Sequence, residues 1–378
     1  MECDYLIVGA GLFGTILAER IANDLGLHVI VVEKRNHIGG NCYSKKDRTT
    51  GIEYHHYGTH IFHTSSLPAW EYIRKFMELN SYHHQVITTH NAKVYQMPIN
   101  LETINTFYNR NFRPSEAKAF IQQEASSEGI IEPKNMEEKG IMSIGRPLYE
   151  AFIRNYTIKQ WGKDPRDLPA SIVNRLPVRF NYEESYFHDG RWQGIPLDGY
   201  TAVFERLLKH PKIDIRLNCD FLKHRKDFKV RKKIIYSGPL DRYFNYKHGR
   251  LEWRAITCER HLIKEKDFQG TSVMNYADLD VPYTRIHEPR HLHPERSYTD
   301  DKTIIFYEYS HGQKNDEEGH YPINTVNNQN LSAKYKELAN QDKKLIVGGR
   351  LGDYAYYDMD KTILAALRCY QGKIKDGQ

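Results

Sequence analysis

The stretch YLIVGAGLFGTILAERIANDLGLHVIVVEKRNHIGGN, residues 5–41, decides the fold. Its apolar runs 5–8 and 29–32 each predict a short, buried parallel strand. Between them apolar residues recur at helical spacing, which predicts a helix from about Phe13 to Asp24. A strand, a helix and a second strand in this order form the unit that opens a Rossmann-like dinucleotide-binding fold.

Glycines follow the first strand in the pattern G-x-G-x-x-G, at Gly9, Gly11 and Gly14. The first permits a tight turn, the second lets the backbone approach a pyrophosphate, and the third lets the helix pack closely on the sheet. Glu33 ends the second strand, where a carboxylate can accept a hydrogen bond from a ribose hydroxyl. A glycine doublet and an asparagine follow at 39–41. An ordinary turn would explain the doublet alone, but the combination favours FAD as the cofactor over a nicotinamide.

The composition is that of a globular protein with more than one domain. A chain of 378 residues is long enough for two or three domains. No run reaches the roughly 18 apolar residues of a membrane-spanning helix, and the amino terminus leads directly into the first strand, so we expect neither membrane insertion nor a signal peptide. Five scattered cysteines without a C-x-x-C pair favour the reducing cytoplasm.

The net charge of +6 is a modest excess that suits an anionic small molecule. The densest basic run, residues 223–233, has almost no aromatic residues between its charges. This pattern favours a solvated loop over a nucleic-acid site, so we expect no nucleic-acid partner.

The later segments predict an α/β protein with three domains. Residues 234–236 and 344–347 predict further strands of the first sheet, and the second of these is followed by a glycine turn and a helix. We therefore expect a Rossmann-like FAD-binding domain with an inserted small helical domain and an antiparallel β-sheet domain. The predicted boundaries are 1–80, 196–245 and 340–378 for the discontinuous FAD-binding domain, 100–162 for the helical substrate or lid domain, and 81–99, 163–195 and 246–339 for the antiparallel sheet that completes the substrate site.

Several segments together resemble the UDP-galactopyranose mutase family, and they occur in family order along nearly the whole chain. They are YLIVGAGLFG (5–14), VVEKRNHIGGN (31–41), YGTHIFHT (57–64), NYTIKQWGKDPRDLPASIVNRLPVRFNY (155–182), QGIPLDGYT (193–201), VPYTRI (281–286), HYPIN (320–324) and GGRLGDYAYYDMD (348–360). The elements NYTIKQW and YAYYDM are far more specific than the glycine pattern.

This resemblance implies an isomerase that uses a redox cofactor without net redox change. The family interconverts the pyranose and furanose forms of a nucleotide-diphospho-sugar. Reduced FAD is required, and its N5 attacks the anomeric carbon and expels the diphosphate. For this chain we expect conversion of UDP-galactopyranose to UDP-galactofuranose, for cell-surface polysaccharide, by a cytoplasmic homodimer.

The resemblance also implies which residues contact the substrate. Arg175 and Arg285 match the two diphosphate arginines and are the expected catalytic cations, since a guanidinium suits phosphate better than an ammonium. Surface ion pairs would be the simpler explanation for two isolated arginines. The further substrate-binding residues that the family pattern implies are Tyr156, Thr157, Trp161, Tyr186, Asn275, Tyr321, Tyr356 and His84.

A second set of positions matches the flavin side of the family. His60 is expected beside the flavin, where it could tune the protonation of the cofactor and so act in catalysis. His55, His56 and His63 lie nearby, but a zinc site also needs a third or fourth partner and an orienting second shell, and no cysteine lies close except Cys42, so we expect no metal. The expected cofactor-binding residues are Gly9, Gly11, Phe13, Gly14, Glu33, Lys34, Gly40, Asn41, His60, Ile61, Arg350, Tyr357, Asp358 and Met359.

The sequence leaves alternatives for both the sugar and the reaction class. His84 stands where the family pattern has an asparagine near the sugar, which leaves UDP-N-acetylgalactosamine and dTDP-fucose as alternative substrates. The glycine pattern alone would equally fit an amine-oxidase-like FAD oxidoreductase. A nucleotide-sugar binder without turnover is a third reading, although the arginine pair argues against it.

Overall fold

A computed structural model describes residues 1–175, 178–187, 190–299, 301–314 and 317–376, apart from the side chains of residues 174 and 175. These residues form two compact units. Unit 1 contains segments 1–82, 189–253 and 326–378, and unit 2 contains segments 83–188 and 254–325.

The strands, in chain order, are β1 Glu2–Val8, β2 Val29–Val32, β3 Ser44–Lys46, β4 Glu53–His55, β5 Phe62–Thr64, β6 Val86–His90, β7 Lys93–Met97, β8 Trp192–Gly194, β9 Ile213–Arg216, β10 Lys229–Tyr236, β11 Trp253–Ile263, β12 Val273–Tyr276, β13 Arg285–His287, β14 Thr303–Gly312, β15 Tyr321–Pro322 and β16 Leu345–Val347.

The α-helices are α1 Leu12–Leu25, α2 Leu67–Ile73, α3 Leu101–Tyr108, α4 Pro114–Ser126, α5 Met136–Ile144, α6 Arg146–Leu148, α7 Asn155–Trp161, α8 Tyr200–Leu208, α9 Leu240–Tyr243, α10 Val326–Gln341, α11 Gly349–Asp353 and α12 Met359–Cys369. A π-helical segment, Tyr149–Arg154, joins α6 to α7. None of the helices in the described ranges is long and apolar enough to cross a membrane.

Unit 1 is built on a five-stranded parallel sheet in the order β16-β10-β1-β2-β9. β1 lies at the centre because its residues are apolar enough to be covered on both faces; Leu6 and Ile7 are fully buried. The predicted strands at 29–32, 234–236 and 344–347 all belong to this sheet, which confirms the predicted α/β class. The predicted helix is α1, and it ends at Gly26 in a left-handed conformation (φ 63°) that glycine adopts without strain.

Unit 2 is built on a seven-stranded sheet in the order β15-β11-β14-β13-β12-β6-β7. Its described pairs are antiparallel except for β6 with β12, which run parallel. In this register Arg285 on β13 faces Asn275 on β12 from one side and Glu308 on β14 from the other. Three polar side chains are therefore carried side by side across neighbouring strands.

The helices α3 to α7 lie in the same compact unit as this sheet. Of the described residues in 163–195, only β8 forms a strand, and it pairs with β5 in unit 1. Residues 326–341 form α10, which also belongs to unit 1. The division into three domains stays a prediction, since compactness groups the described chain into two units.

Candidate active site

One candidate region is a glycine-lined cradle in unit 1. Gly9 has φ 107° and its N–H donates to Val32 O at 2.8 Å, which turns the chain sharply out of β1. Gly40 has φ 55°, and a Cβ added there would lie 2.9 Å from Gly11 Cα. A Cβ on Gly14 would lie 2.2 Å from Gly9 O. Gly9 is thus required by its positive φ and Gly14 and Gly40 by close backbone approach, and the N–H groups at the start of α1 are left to face a phosphate.

Glu33 is held at the mouth of this cradle. It is buried, and its carboxylate accepts hydrogen bonds from Ala10 N at 2.9 Å and Arg35 N at 3.0 Å. Arg35 in turn donates to Asn41 Oδ1 at 2.9 Å. Burial is the main cause that lowers the pKa of the neighbouring Lys34, followed by the charge of Arg242. Glu33 keeps a fixed orientation at the end of β2, as the binding of a ribose hydroxyl requires.

The segment that follows β16 near the carboxyl terminus adds a second glycine turn to unit 1. A Cβ on Gly348 would lie 2.3 Å from the ring of Phe13, so this glycine makes room for the phenyl group. Arg350 follows on α11. Tyr357 donates to Asp353 Oδ2 at 2.9 Å, and burial raises the pKa of Tyr357 to about 12. Asp358 precedes α12, whose first residue is Met359.

His60 is fixed by its own segment of unit 1. The backbone N–H of His60 donates to His55 Nδ1 at 2.9 Å. The ring Nδ1 of His60 lies 2.7 Å from Gly58 O, and since a carbonyl oxygen only accepts, Nδ1 is the donor. Nε2 is therefore the ring atom that carries the lone pair when the ring is neutral. Ile61 follows in a half-buried position.

Three residues of the described part of the chain, other than the histidines at 55–63, have side chains close enough to bind one metal ion: Asp267, Glu288 and His291. Their ligand atoms lie within 4.8 Å of one another. The buried Glu288 already accepts hydrogen bonds from Phe268 N, Gln269 N and Thr303 Oγ1. His291 Nε2 lies 3.1 Å from Asp267 Oδ1, so each of the three side chains has a partner within the protein.

A second candidate region lies in unit 2 and is centred on Arg285. Arg285 Nη2 donates to Tyr156 Oη at 2.5 Å, and Tyr186 and Tyr321 are close enough to interact electrostatically with the guanidinium. We call Arg285, Tyr156, Tyr186 and Tyr321 the Arg285 cluster. It brings together four residues that the family pattern assigned to the substrate. A cation surrounded by phenol groups offers charge, donors and stacking surfaces to an anionic nucleotide.

Glu308 lies beneath the Arg285 cluster and is a residue that the sequence did not single out. It is 2% exposed, lies 3.2 Å from Arg285 Nε, and accepts a hydrogen bond from His287 Nε2 at 2.8 Å. Burial would raise the pKa of Glu308, but the charge of Arg285 and the contact with His287 outweigh it and lower the pKa to about 2. A signal was present: one acid interrupts the apolar and aromatic run of β14, and a buried acid needs a cationic partner.

The helix α7 carries Tyr156, Thr157 and Trp161 and is fastened within unit 2. Arg254 Nε donates to Gln160 O at 2.9 Å, so its guanidinium caps the carbonyl end of the helix. Gly162 ends the helix in a left-handed conformation (φ 63°), which explains the glycine, and a Cβ there would also displace the tip of Arg254.

The remaining predicted residues are placed as follows. His84 is buried, and its ring centroid lies 5.3 Å from that of Tyr186. The ring of Trp161 lies 6.4 Å from that of Tyr321. Tyr356 belongs to unit 1, between α11 and α12. Arg175 ends a short 3₁₀ helix, Ala170–Arg175, and its side chain lies outside the described atoms.

The fold defines a class: an α/β protein in which one unit is Rossmann-like and carries a glycine-lined cradle, and the other carries an arginine among tyrosines. Residues 7–76 match the family model of the NAD(P)-binding Rossmann-like domain, and residues 151–356 match that of UDP-galactopyranose mutase. The chain belongs to the UDP-galactopyranose mutase family, which confirms the resemblance found in the sequence.

Relatives with known names match over nearly the full chain. A "Probable UDP-galactopyranose mutase" of Klebsiella pneumoniae is 42% identical and is covered over 92% of its length by 96% of this chain. The dTDP-fucopyranose mutase of Escherichia coli is 34% identical over 99% of both chains. A crystal structure of reduced UDP-galactopyranose mutase shares the fold, with a TM-score of 0.72, 13% identity and coverage of 97% of this chain and 93% of that chain. The chain is therefore an enzyme of the mutase class.

Proposed function

We propose that this enzyme interconverts the pyranose and furanose forms of a nucleotide-diphospho-sugar, with UDP-galactose as its substrate and UDP-galactofuranose for surface polysaccharide as its product. The observation that carries this proposal is the Arg285 cluster, which supplies a cation and three phenols at one place. The relatives named above act on UDP-galactopyranose and on dTDP-fucopyranose, so dTDP-fucose and UDP-N-acetylgalactosamine are the alternative substrates to test.

We propose FAD as the cofactor, held at its pyrophosphate by the backbone around Gly9, Gly11 and Gly40 and at its ribose by Glu33. The backbone at these glycines supports this, because Gly9 has φ 107° and an added Cβ on Gly40 would lie 2.9 Å from Gly11 Cα, so the two backbone segments approach closely with no side chain between them. When bound in its reduced form, FAD supplies the nucleophile that the family resemblance implies for the anomeric carbon.

Arg285 binds the diphosphate, which carries negative charge in the bound sugar nucleotide and more when the glycosidic bond breaks. Its guanidinium is already oriented by Glu308 and Tyr156, so little reorganisation is needed as charge develops. Tyr186 is 38% exposed, and its ring is thus available to stack on a base or sugar. Arg175 is the second proposed diphosphate cation, and His60 the proposed flavin-side residue.

The decisive experiment is anaerobic. The purified flavoprotein is incubated with dithionite and, separately, with UDP-galactose, UDP-N-acetylgalactosamine or dTDP-fucose, and the products are resolved by chromatography and mass spectrometry. An isomeric peak of unchanged mass that requires the reductant supports the proposal and identifies the sugar. The absence of an isomer from all three nucleotide sugars would overturn it.

The amine-oxidase-like alternative predicts different chemistry when the oxidised enzyme is incubated with the same sugar nucleotides in air, without dithionite. An oxidoreductase would reduce its flavin at the expense of the substrate and form peroxide in air. The proposed isomerase leaves the mass of the sugar nucleotide unchanged and forms no peroxide in proportion to product.

A further inference from the structure

Lys159 lies inside a cage of backbone oxygens in unit 2. Its Nζ donates to four carbonyl oxygens, those of Tyr276 at 2.6 Å, Asp278 at 2.8 Å, Val281 at 3.0 Å and Tyr283 at 3.0 Å. An ammonium has three N–H groups, so four carbonyls at this range share its charge as they would share a bound monovalent cation. We call these four oxygens the carbonyl cage.

The carbonyl cage belongs to the connection between β12 and β13. Asn275 lies near the end of β12 and Arg285 begins β13, so the two predicted substrate residues stand at either end of the caged segment. The segment is closed at its base by Tyr276 N donating to Thr284 O at 2.9 Å. Its inner carbonyls converge on Lys159, and such groups cost free energy when they are buried without a donor.

Lys159 itself is part of α7, two residues after Thr157 and two before Trp161. The same helix contacts the hairpin a second time, where Arg285 Nη2 donates to Tyr156 Oη. The ammonium therefore joins the helix that carries three predicted substrate residues to the hairpin that carries two others. Asp278 and Asp280 add negative charge beside the ammonium, whereas burial lowers the pKa of Lys159 to about 8.

We propose that Lys159 is a positioning residue whose ammonium serves as a built-in cation, holding the β12–β13 hairpin so that Arg285 and Asn275 meet the nucleotide diphosphate together with Tyr156. The proposal rests on the proposed function for its kinetic consequence, but the ordering of the hairpin is independent of that function. The charge at the centre of the cage is the essential property, and the hydrocarbon stem only delivers it.

The test uses the FAD-loaded enzyme with Lys159→Ala and Lys159→Met. Alanine empties the cage, while methionine fills the stem volume without charge. For both variants we expect KM for the sugar nucleotide to rise by about tenfold to a hundredfold, because displaced contacts weaken binding of an anion that is present throughout the reaction. A variant that merely folds poorly would lose active enzyme, which lowers the apparent kcat and leaves KM unchanged.

Chemical rescue separates charge from packing. n-Propylammonium replaces the missing atoms of Lys159→Ala from Cγ to Nζ, so we expect it to return KM most of the way to the wild-type value. Neutral n-propanol should not do so, and Lys159→Met, whose site is filled, should respond to neither. Lys118→Ala, which removes an exposed lysine on α4, serves as the matched control with unchanged KM and no response to the amine.

Hydrogen–deuterium exchange of residues 276–285 in the oxidised holoenzyme decides the same question without turnover. We expect faster exchange in Lys159→Ala and a return toward wild type with n-propylammonium. Wild-type KM and wild-type exchange in Lys159→Met would overturn the proposal, as would failure of the amine to restore either property in folded Lys159→Ala. If wild type isomerises no sugar nucleotide, the proposed function fails, and the exchange result still decides the role of Lys159.

Discussion

Arg285 shows how one side chain is prepared for an anion. Its Nε faces the buried Glu308 and its Nη2 faces Tyr156, so the direction of the guanidinium is set from two sides. Lysine could supply charge at this position, but it lacks the planar fork that satisfies both partners and a phosphate at once.

We therefore predict that Arg285→Lys and Arg285→Ala both lower kcat/KM, by roughly tenfold or more for lysine and a hundredfold or more for alanine, since charge-assisted contacts to the diphosphate are lost. FAD content should stay at the wild-type level, because Arg285 belongs to unit 2 and the cradle to unit 1. Steady-state kinetics and the flavin absorbance of the purified variants check this. Arg166→Ala, an exposed arginine in an ion pair with Asp164, is the control. Wild-type turnover by Arg285→Ala would contradict the assignment.

Glu308 gives a prediction for stability and pH. The pKa of Glu308 is about 2 in the folded protein, below the ordinary value of 4.5, so its contribution to stability is full above pH 4.5 and is lost as the pH falls toward 2. Glu308→Gln removes this contribution and lowers the free energy of unfolding at pH 7 by roughly 3 kcal/mol, because the partner Arg285 is left without its counterion. The difference in the free energy of unfolding between wild type and Glu308→Gln should decrease by about 1 kcal/mol from pH 6 to pH 3.5.

Urea unfolding at fixed FAD concentration and several pH values measures that difference. Glu265→Gln, which changes an exposed acid of unit 2, is the matched control, and we expect its effect on the free energy of unfolding to be small. A constant difference for Glu308→Gln would mean that the carboxyl group is not held ionised by the fold.

At the scale of elements, the cradle depends on close backbone contact. Gly40 has φ 55°, and a Cβ added there would lie 2.9 Å from Gly11 Cα. Gly51 has φ 72°, and a Cβ added there would meet no atom of the described residues within 4 Å. Both glycines adopt the left-handed conformation, so alanine at either costs about 1 kcal/mol of backbone strain. Only Gly40→Ala also pushes the two cradle segments apart.

We expect Gly40→Ala to weaken FAD binding by about tenfold or more and Gly51→Ala to leave it unchanged, with a larger loss of stability for Gly40→Ala because the Gly11 backbone must also shift. Flavin fluorescence titration of the apoproteins compares the two affinities. Equal affinities for the two variants would show that the approach of Gly40 to Gly11 has no part in holding the cofactor.

The elements also show what sequence could and could not reveal. β1, α1, β2 and Glu33 follow from local periodicity and a motif whose physical demands are known, so they were predictable. The pairing of β6 with β12, the placement of Glu308 opposite Arg285 and the carbonyl cage of Lys159 depend on segments far apart in the chain. No local pattern records such contacts, since the side-chain period of a strand gives its faces but not its neighbours.

At the scale of the molecule, each unit has a core of its own. Residues such as Ile16, Val31 and Phe204 pack in unit 1, and residues such as Ile121, Ile141 and Phe152 pack in unit 2. A cofactor held by the cradle therefore stabilises one unit through its own contacts.

We predict that removal of FAD speeds amide exchange in the parallel sheet of unit 1 by at least about tenfold, while α4 and α5 of unit 2 stay within about twofold of the holoenzyme. Hydrogen exchange with mass spectrometry on both forms gives the comparison peptide by peptide. Uniform acceleration throughout the chain would show that the two units open as one.

The order of strands in the parallel sheet has a consequence for how the enzyme is made. β1 is at the centre, yet β10 and β16, which complete one half of the sheet, are translated much later. At ribosomal rates of about 5–20 residues per second, β1 waits roughly 20–70 s for β16 to emerge. During that interval a nascent apolar strand is exposed to other chains. Slower initiation, a lower temperature or more chaperone should thus raise the yield of intact enzyme more than any change at the site itself.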